Sequence, residues 1–227
     1  MCIRDRYKTT YQIDIDKLEI AGEGALLKLI EDRKKRLQEQ GLFDQKYKKS
    51  IPYLPSRLGI ITSPTGSVIH DIINRLKERF PINVDIWPVA VQGIGATTSI
   101  INALKGFNNS SYEDQPDVII IARGGGSTED LMAFNDENLA FAVFESSIPI
   151  ISAIGHETDT TIIDYVADVR ASTPTAAAEK AVPVKNELKQ LVSTLEQRLD
   201  FLIIGHIKSD KDYLENLNKF LNFIFPP

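Results

Sequence analysis

Three stretches carry residues whose types and spacing could do chemistry. In the first, Arg123 is followed by Gly124, Gly125 and Gly126, then by Ser127, Thr128, Glu129 and Asp130. Three consecutive glycines are costly to order, so they belong where backbone turns sharply or lies against something. An anion fits, because successive N–H groups and a helix start attract negative charge and an arginine fork can clamp phosphate. No lysine follows the glycines, so this is not a Walker A loop, and it misses the dinucleotide fingerprint as well. A tight turn with no ligand is the alternative. Asp130 also matches a capping box with Ser127, so either Glu129 or Asp130 is expected to be structural.

The second stretch is Gly155-His156-Glu157-Thr158-Asp159. His156 directly follows an apolar run, and an imidazole near its ordinary pKa passes protons at neutral pH. Glu157 could orient it, cap a backbone group or bind a metal. The third is Asp71, about one turn into a helix pattern opened by Ser63-Pro64-Thr65-Gly66. A carboxylate is stabilised near a helix start without any function; the functional reading places it in the same crevice as His156. Asp164, Asp168 and Arg170 could form a salt network closing that crevice.

The elements that must position these groups follow from periodicity. Leu58–Thr62, Asn83–Val89, Val118–Ile121 and Ile148–Ala153 read as short strands. Between them lie the helix patterns Ser67–Arg79 and Ala96–Phe107, and one that begins between Glu129 and Asn135 and runs to Ser146. Thr160–Ala167 is a short helix, and Thr173 with Pro174 makes a good helix start. This alternation predicts an α/β fold: an open, mostly parallel sheet with helices on both faces. Such sheets bind ligands beyond the carboxyl ends of their strands. Ser63–Gly66, Arg123–Ser127 and Gly155–Asp159 all satisfy that location, and a 2-1-3-4 strand order, taken by analogy, puts the first two beside the crevice.

Upstream, Gln12–Leu18 alternates and reads as one half-buried strand, and Ala25–Gln40 as a helix stopped by Gly41. From Lys28 to Lys49 eight basic side chains face four acidic ones, a solvated face or a nucleic-acid contact. Lys46–Pro55 reads as a linker. Beyond Pro183, Leu188, Leu191, Leu195 and Leu202 keep a three-four spacing, and Leu214, Leu217, Leu221 and Ile224 resume it, which favours a coiled coil or helical hairpin. Gly205 could bend that segment. With 227 residues, 43% of them hydrophobic, one or two domains are expected. The sole cysteine, Cys2, permits no internal disulfide, and three distant histidines offer no standard zinc motif. The net charge of −5 argues weakly against nucleic acid when taken alone. No secretory signal or apolar 20-mer is found, so a soluble cytoplasmic protein without a membrane partner is the expectation.

Taken together, A-G-E-G-A-L, R-K-K-R-L, E-Q-G-L-F-D, L-G-I-I-T-S-P-T-G with Asp71, V-A-V-Q-G-I-G-A, A-R-G-G-G-S-T-E-D-L-M-A-F-N, P-I-I-S-A-I-G-H-E-T-D and Y-V-A-D-V-R-A-S-T-P-T-A-A-A-E resemble the large subunit of exodeoxyribonuclease VII. They occur in the right order over most of Ala21–Pro183. The resemblance implies a nuclease that hydrolyses single-stranded DNA from both ends into oligonucleotides, in complex with several copies of a small helical subunit. It implies an N-terminal OB-fold domain, of which residues 1–20 would be the last strand. Residues 21–55 would be a connecting helix and basic linker, 56–183 the α/β catalytic domain, and 184–227 the start of a truncated helical segment that binds the small subunit. Asp71 and His156 correspond to the family's essential aspartate and histidine.

On this reading Arg123, Gly124, Gly125, Gly126 and Ser127 hold a backbone phosphate, with Ser63, Thr65 and Arg170 as further phosphate or DNA contacts. His156 activates water or protonates the leaving oxygen, and Asp71 orients the histidine or the water. No cofactor is strictly required within the family, yet Asp71, Glu129, Glu157 and Asp159 could also build a Mg²⁺ site. Homo-oligomerisation is left open. Two rivals stand beside the nuclease: a small-molecule phosphotransferase using the glycine loop, and a non-catalytic DNA-binding or assembly scaffold.

Overall fold

The computed structural model describes residues 23–225, apart from 94, 112, 125–128 and 156–158. Five strands form one parallel sheet in the order β2-β1-β3-β4-β5. They are β1 (Arg57–Thr62), β2 (Asn83–Pro88), β3 (Val118–Ala122), β4 (Ile150–Ala153) and β5 (Val169–Arg170). Every pairing is parallel, with Ile60 opposite Ile86 on one side and Ile120 on the other. The expected 2-1-3-4 order therefore holds, and β5 extends it.

Alternation along β3 divides the core in two. Ile119 and Ile121 face one side, where α3 (Ala96–Asn108), α4 (Glu137–Phe144) and α5 (Ile162–Val166) bring Ile100, Leu104, Leu139 and Ile163. Val118, Ile120 and Ala122 face the other, covered by Ile72 and Leu76 of α2 (Ser67–Arg79) and by Ala177, Ala178 and Ala181 of α6 (Pro174–Ala181). The small residues of α6 let it lie close to the sheet, and Arg75 Nε donates to Glu179 Oε1 at 2.7 Å to tie the two helices. The chain moves from β1 outward to β2 and returns past β1 to β3, so α2 and α3 lie on opposite faces. That reversal opens a crevice between the carboxyl ends of β1 and β3.

The segment before the sheet is docked on it. In α1 (Glu23–Glu39) Leu37 is buried, and Gly41, at φ +80°, ends the helix so that Leu42 also enters the core. Phe43 packs on Tyr165 with ring centroids 5.4 Å apart. Much of the basic stretch is spent on this attachment. Arg33 Nη1 donates to Asn135 O at 2.9 Å, Lys34 sits 4.0 Å from the Tyr165 ring centroid, and Arg36 pairs with Glu137 at 2.6 Å. Lys48 Nζ donates to Ala167 O at 3.0 Å, and burial pushes its ammonium below its ordinary pKa, with Asp168 pulling the other way. Residues 1–20, the expected remnant strand, lie outside the described residues.

After Pro183 the chain forms one continuous α-helix, α7 (Lys185–Ile224), so the described residues hold no hairpin and the helix runs through Gly205. Forty residues make a rod about 60 Å long. Leu191, Leu195, Leu199 and Leu202 are all more than half exposed along it.

Candidate active site

Among the described residues two clefts open at the carboxyl ends of the strands, side by side. The larger, about 430 Å³, lies at the β1/β3 reversal. Thr62 and Ser63 line it from the end of β1, Ala90, Val91 and Gln92 from beyond β2, and Arg123 and Gly124 from the end of β3. The smaller, about 150 Å³, lies over β3 and β4 and is lined by Asp71, Arg123, Gly124, Gly155 and the Ser172–Pro174 turn. Ser67, Val68, Arg123 and Gly124 belong to both.

Arg123 is the common wall. Its backbone N–H continues the β3–β4 ladder by donating to Ala153 O at 3.1 Å. Its side chain is only 3% exposed; Nη2 lies 3.0 Å from Asp130 Oδ2, and Nε has no hydrogen-bond partner among the described residues. A buried guanidinium with an unused donor costs free energy unless an acceptor meets it. Asp130 thus serves Arg123; the capping box with Ser127 rests on a residue outside the description. The helix expected after the glycines begins as a 3-10 segment, Glu129–Asn135, and α4 starts only at Glu137, capped by Asp136, whose Oδ1 accepts from Asn138 N at 2.9 Å and Leu139 N at 3.3 Å.

Two glycines are explained by what touches them. A Cβ on Gly124 would stand 3.3 Å from Val68 Cγ2, so the first glycine of the run lies against the first turn of α2. A Cβ on Gly155 would fall 1.8 Å from the carbonyl oxygen of Asp159. Gly155 therefore lies directly against the Asp159 backbone, and only glycine fits there.

Asp71 is exposed in the first turns of α2 and has no hydrogen bond or ion pair among the described residues. His70 beside it is exposed. Ser63 and Thr65 lie in the β1–α2 turn with their hydroxyls 3.4 Å apart; Ser63 lines the larger cleft. Gly125, Gly126, Ser127, His156 and Glu157 lie outside the described residues, as does the side chain of Glu129; Gly124 and Gly155 themselves line the smaller cleft. Asp159 is exposed at the far end of the β4 loop.

Arg170 lines neither cleft. It sits on the other face of the sheet, with Nε 4.0 Å from Asp164 Oδ2. Asp164 is buried and accepts from Ser152 Oγ at 2.5 Å and from Thr161 N and Oγ1 at 2.8 and 2.9 Å, which fixes the start of α5. Asp168 lies at the opposite end of the sheet, accepting from Ile150 N at 2.7 Å and Lys49 N at 2.6 Å. The three therefore do not form one network over the crevice. Among the described residues no three histidine, cysteine or carboxylate side chains converge as a metal site.

Residues that the sequence alone did not single out complete the clefts. Ser67, Gln92 and Ser172 carry no pattern that marks a small polar residue as functional. Thr173 was expected as a helix cap, and Ala176 N does donate to its Oγ1 at 3.1 Å, yet it also walls the smaller cleft. Asn135 is a further unmarked residue. It is buried, its Oδ1 accepts from Ile162 N at 2.9 Å and its Nδ2 donates to Leu131 O at 3.3 Å, so it joins the segment after the glycines to the helix after the His156 loop.

Comparison with known proteins shows the family. The sequence model of the family described as "Exonuclease VII, large subunit" matches residues 42–224. The chain is 56% identical over 204 residues to the exodeoxyribonuclease 7 large subunit of Mesorhizobium japonicum, covering 88% of this chain and 39% of that protein. It is 57% identical over 192 residues to that of Bartonella henselae, covering 83% and 40%. With that of Anaplasma marginale (strain Florida) the figures are 55% over 193 residues, 85% and 47%. The chain thus spans two fifths to a half of the length of these relatives. On the family match and these identities together, the chain belongs to the exonuclease VII large-subunit family.

Proposed function

We propose that this chain carries the catalytic α/β unit of an exodeoxyribonuclease, hydrolysing phosphodiester bonds of single-stranded DNA from either end to give oligonucleotides. The observation that supports this most is the convergence of Asp71, the buried Arg123 guanidinium, Gly124 and Gly155, the residue before His156, on one small cleft at the strand ends. Arg123 and the backbone at Gly124–Ser127 hold a backbone phosphate and stabilise its developing charge. Water attacks phosphorus, a P–O bond to the sugar breaks, and His156 takes the proton from the water or delivers one to the leaving oxygen. Asp71 orients the histidine or the water. Ser63 and Thr65 contribute hydroxyls to the strand; Arg170 is placed with DNA-contacting residues only beyond the clefts. Glu129, Asp130, Glu157 and Asp159 support the loops or, with Asp71, hold Mg²⁺.

The test is cleavage of end-labelled single-stranded DNA by the chain with and without a small helical subunit. His156→Ala should lower turnover by about 10²–10⁴-fold, the usual worth of general acid–base catalysis, with an unchanged circular dichroism melt. Equal cleavage by both forms refutes the role given to His156. Undiminished cleavage in chelator removes the Mg²⁺ version, and small-subunit binding without any cleavage favours the scaffold instead.

We assign α7 to the small subunit, because Leu195, Leu199 and Leu202 are exposed on one helix and apolar side chains at this spacing bury against a partner helix. Leu195→Glu with Leu202→Glu should abolish co-sedimentation with the small subunit and leave the melting of the α/β unit in place. No described helix is long and apolar enough to cross a membrane, and we place the enzyme in the cytoplasm.

A further inference from the structure

The two clefts differ in a way that a bare phosphate does not explain. A phosphate group fits the smaller one, about 150 Å³. The larger, about 430 Å³, falls within the range of about 300–1,000 Å³ typical of pockets that hold a whole small molecule. None of the described residues that line it carries a carboxylate. Val68 and Val91 give it apolar surface, Ala90 leaves it open, and Ser63, Ser67 and Gln92 put rotatable hydroxyls and an amide at its edge. Such groups donate or accept as needed, so they hydrogen-bond many partners and select none.

Its charged end is the wall shared with the smaller cleft. There the first turn of α2 begins at Gly66, with no side chain capping its free N–H groups, and these attract an anion. Independently, Arg123 lines both clefts, and its buried Nε lacks an acceptor among the described residues. An anionic group and an uncharged flat body joined to it match this division.

We propose that the larger cleft is a nucleoside subsite: it takes the sugar and base of one deoxynucleotide whose phosphate lies on Arg123 and the start of α2, without preference among the four bases. The inference rests on the nuclease reading only in naming the ligand a deoxynucleotide. It makes Ala90, Val91 and Gln92, beyond β2, part of the substrate site.

Titration calorimetry on the whole chain tests it, with inorganic phosphate and each of the four deoxynucleoside 5′-monophosphates as probes. Each nucleotide should bind about tenfold tighter than phosphate, a difference of about 1.4 kcal/mol, and the four should agree within about threefold. Ala90→Phe fills the cleft from an exposed position and should bring every nucleotide down to the affinity of inorganic phosphate. Nucleotides no tighter than phosphate, one base strongly preferred, or a natively folded Ala90→Phe chain that binds nucleotides as before would each overturn the proposal. If Ala90→Phe fails to fold, the wild-type comparison still decides. Nucleotide binding as expected with no DNA cleavage leaves the subsite standing and removes the nuclease; cleavage with an unchanged KM in Ala90→Phe does the reverse.

Discussion

Gly155, the residue before His156, lies against the Asp159 backbone. Because the Asp159 carbonyl occupies the place of a Gly155 Cβ, Gly155→Ala must push backbone apart. The expected cost is about 1–3 kcal/mol, as for other overpacked sites, read as a lower urea midpoint. Cleavage should fall by more than about tenfold, since a misplacement of about 1 Å is enough to cost far more. Gly106→Ala is the control. Its Cβ would meet the Trp87 ring, at 2.0 Å, but Trp87 is 38% exposed and can swing away, so stability should drop while the activity per folded molecule is kept. An equal loss of activity in both variants would refute a specific role for the contact between Gly155 and Asp159.

At the scale of elements, the strands and long helices were legible because each carries a clean period. Ser67–Arg79 was read with the bounds that the structure gives, and Val118–Ile121 differs by one residue. What escaped was set by tertiary contacts. β5 is two residues long, too short for any alternation, and exists because Ile151 and Ser152 pair with it. The Glu129–Asn135 segment reads as the start of a helix, yet it ends where Asn135 turns its side chain to Leu131 and Ile162 and gives its carbonyl to Arg33. Those partners lie up to 102 residues away, beyond any local pattern. The same clasp yields a prediction. Asn135→Ala strands the Ile162 N–H in a buried place, which costs about 1–3 kcal/mol. Since Asn135 bridges the segments behind Gly124 and Gly155, a double-mutant cycle pairing it with Gly155→Ala should show a coupling of about 0.5–3 kcal/mol; simple additivity would mean that the two loops are independent.

For the whole molecule, sequence reading expected one crevice among three loops, whereas the described residues form two clefts sharing one arginine. The division arises from Val68 and Gly124 packing together across the reversal of strand order, a contact between residues 56 positions apart. The shared wall is assembled from the ends of β1 and β3 and the start of α2, and the smaller cleft adds the end of β4. No two neighbouring elements make it alone, and a parallel sheet closes long loops before its contacts form. The site is therefore a property of the finished fold. A ligand that binds only the native state cannot speed its formation; it can only delay its loss. In stopped-flow denaturant jumps, millimolar phosphate or a deoxynucleotide should slow unfolding and leave the refolding rate unchanged, so that substrate acts on this protein as a brake on opening and never as a template for folding.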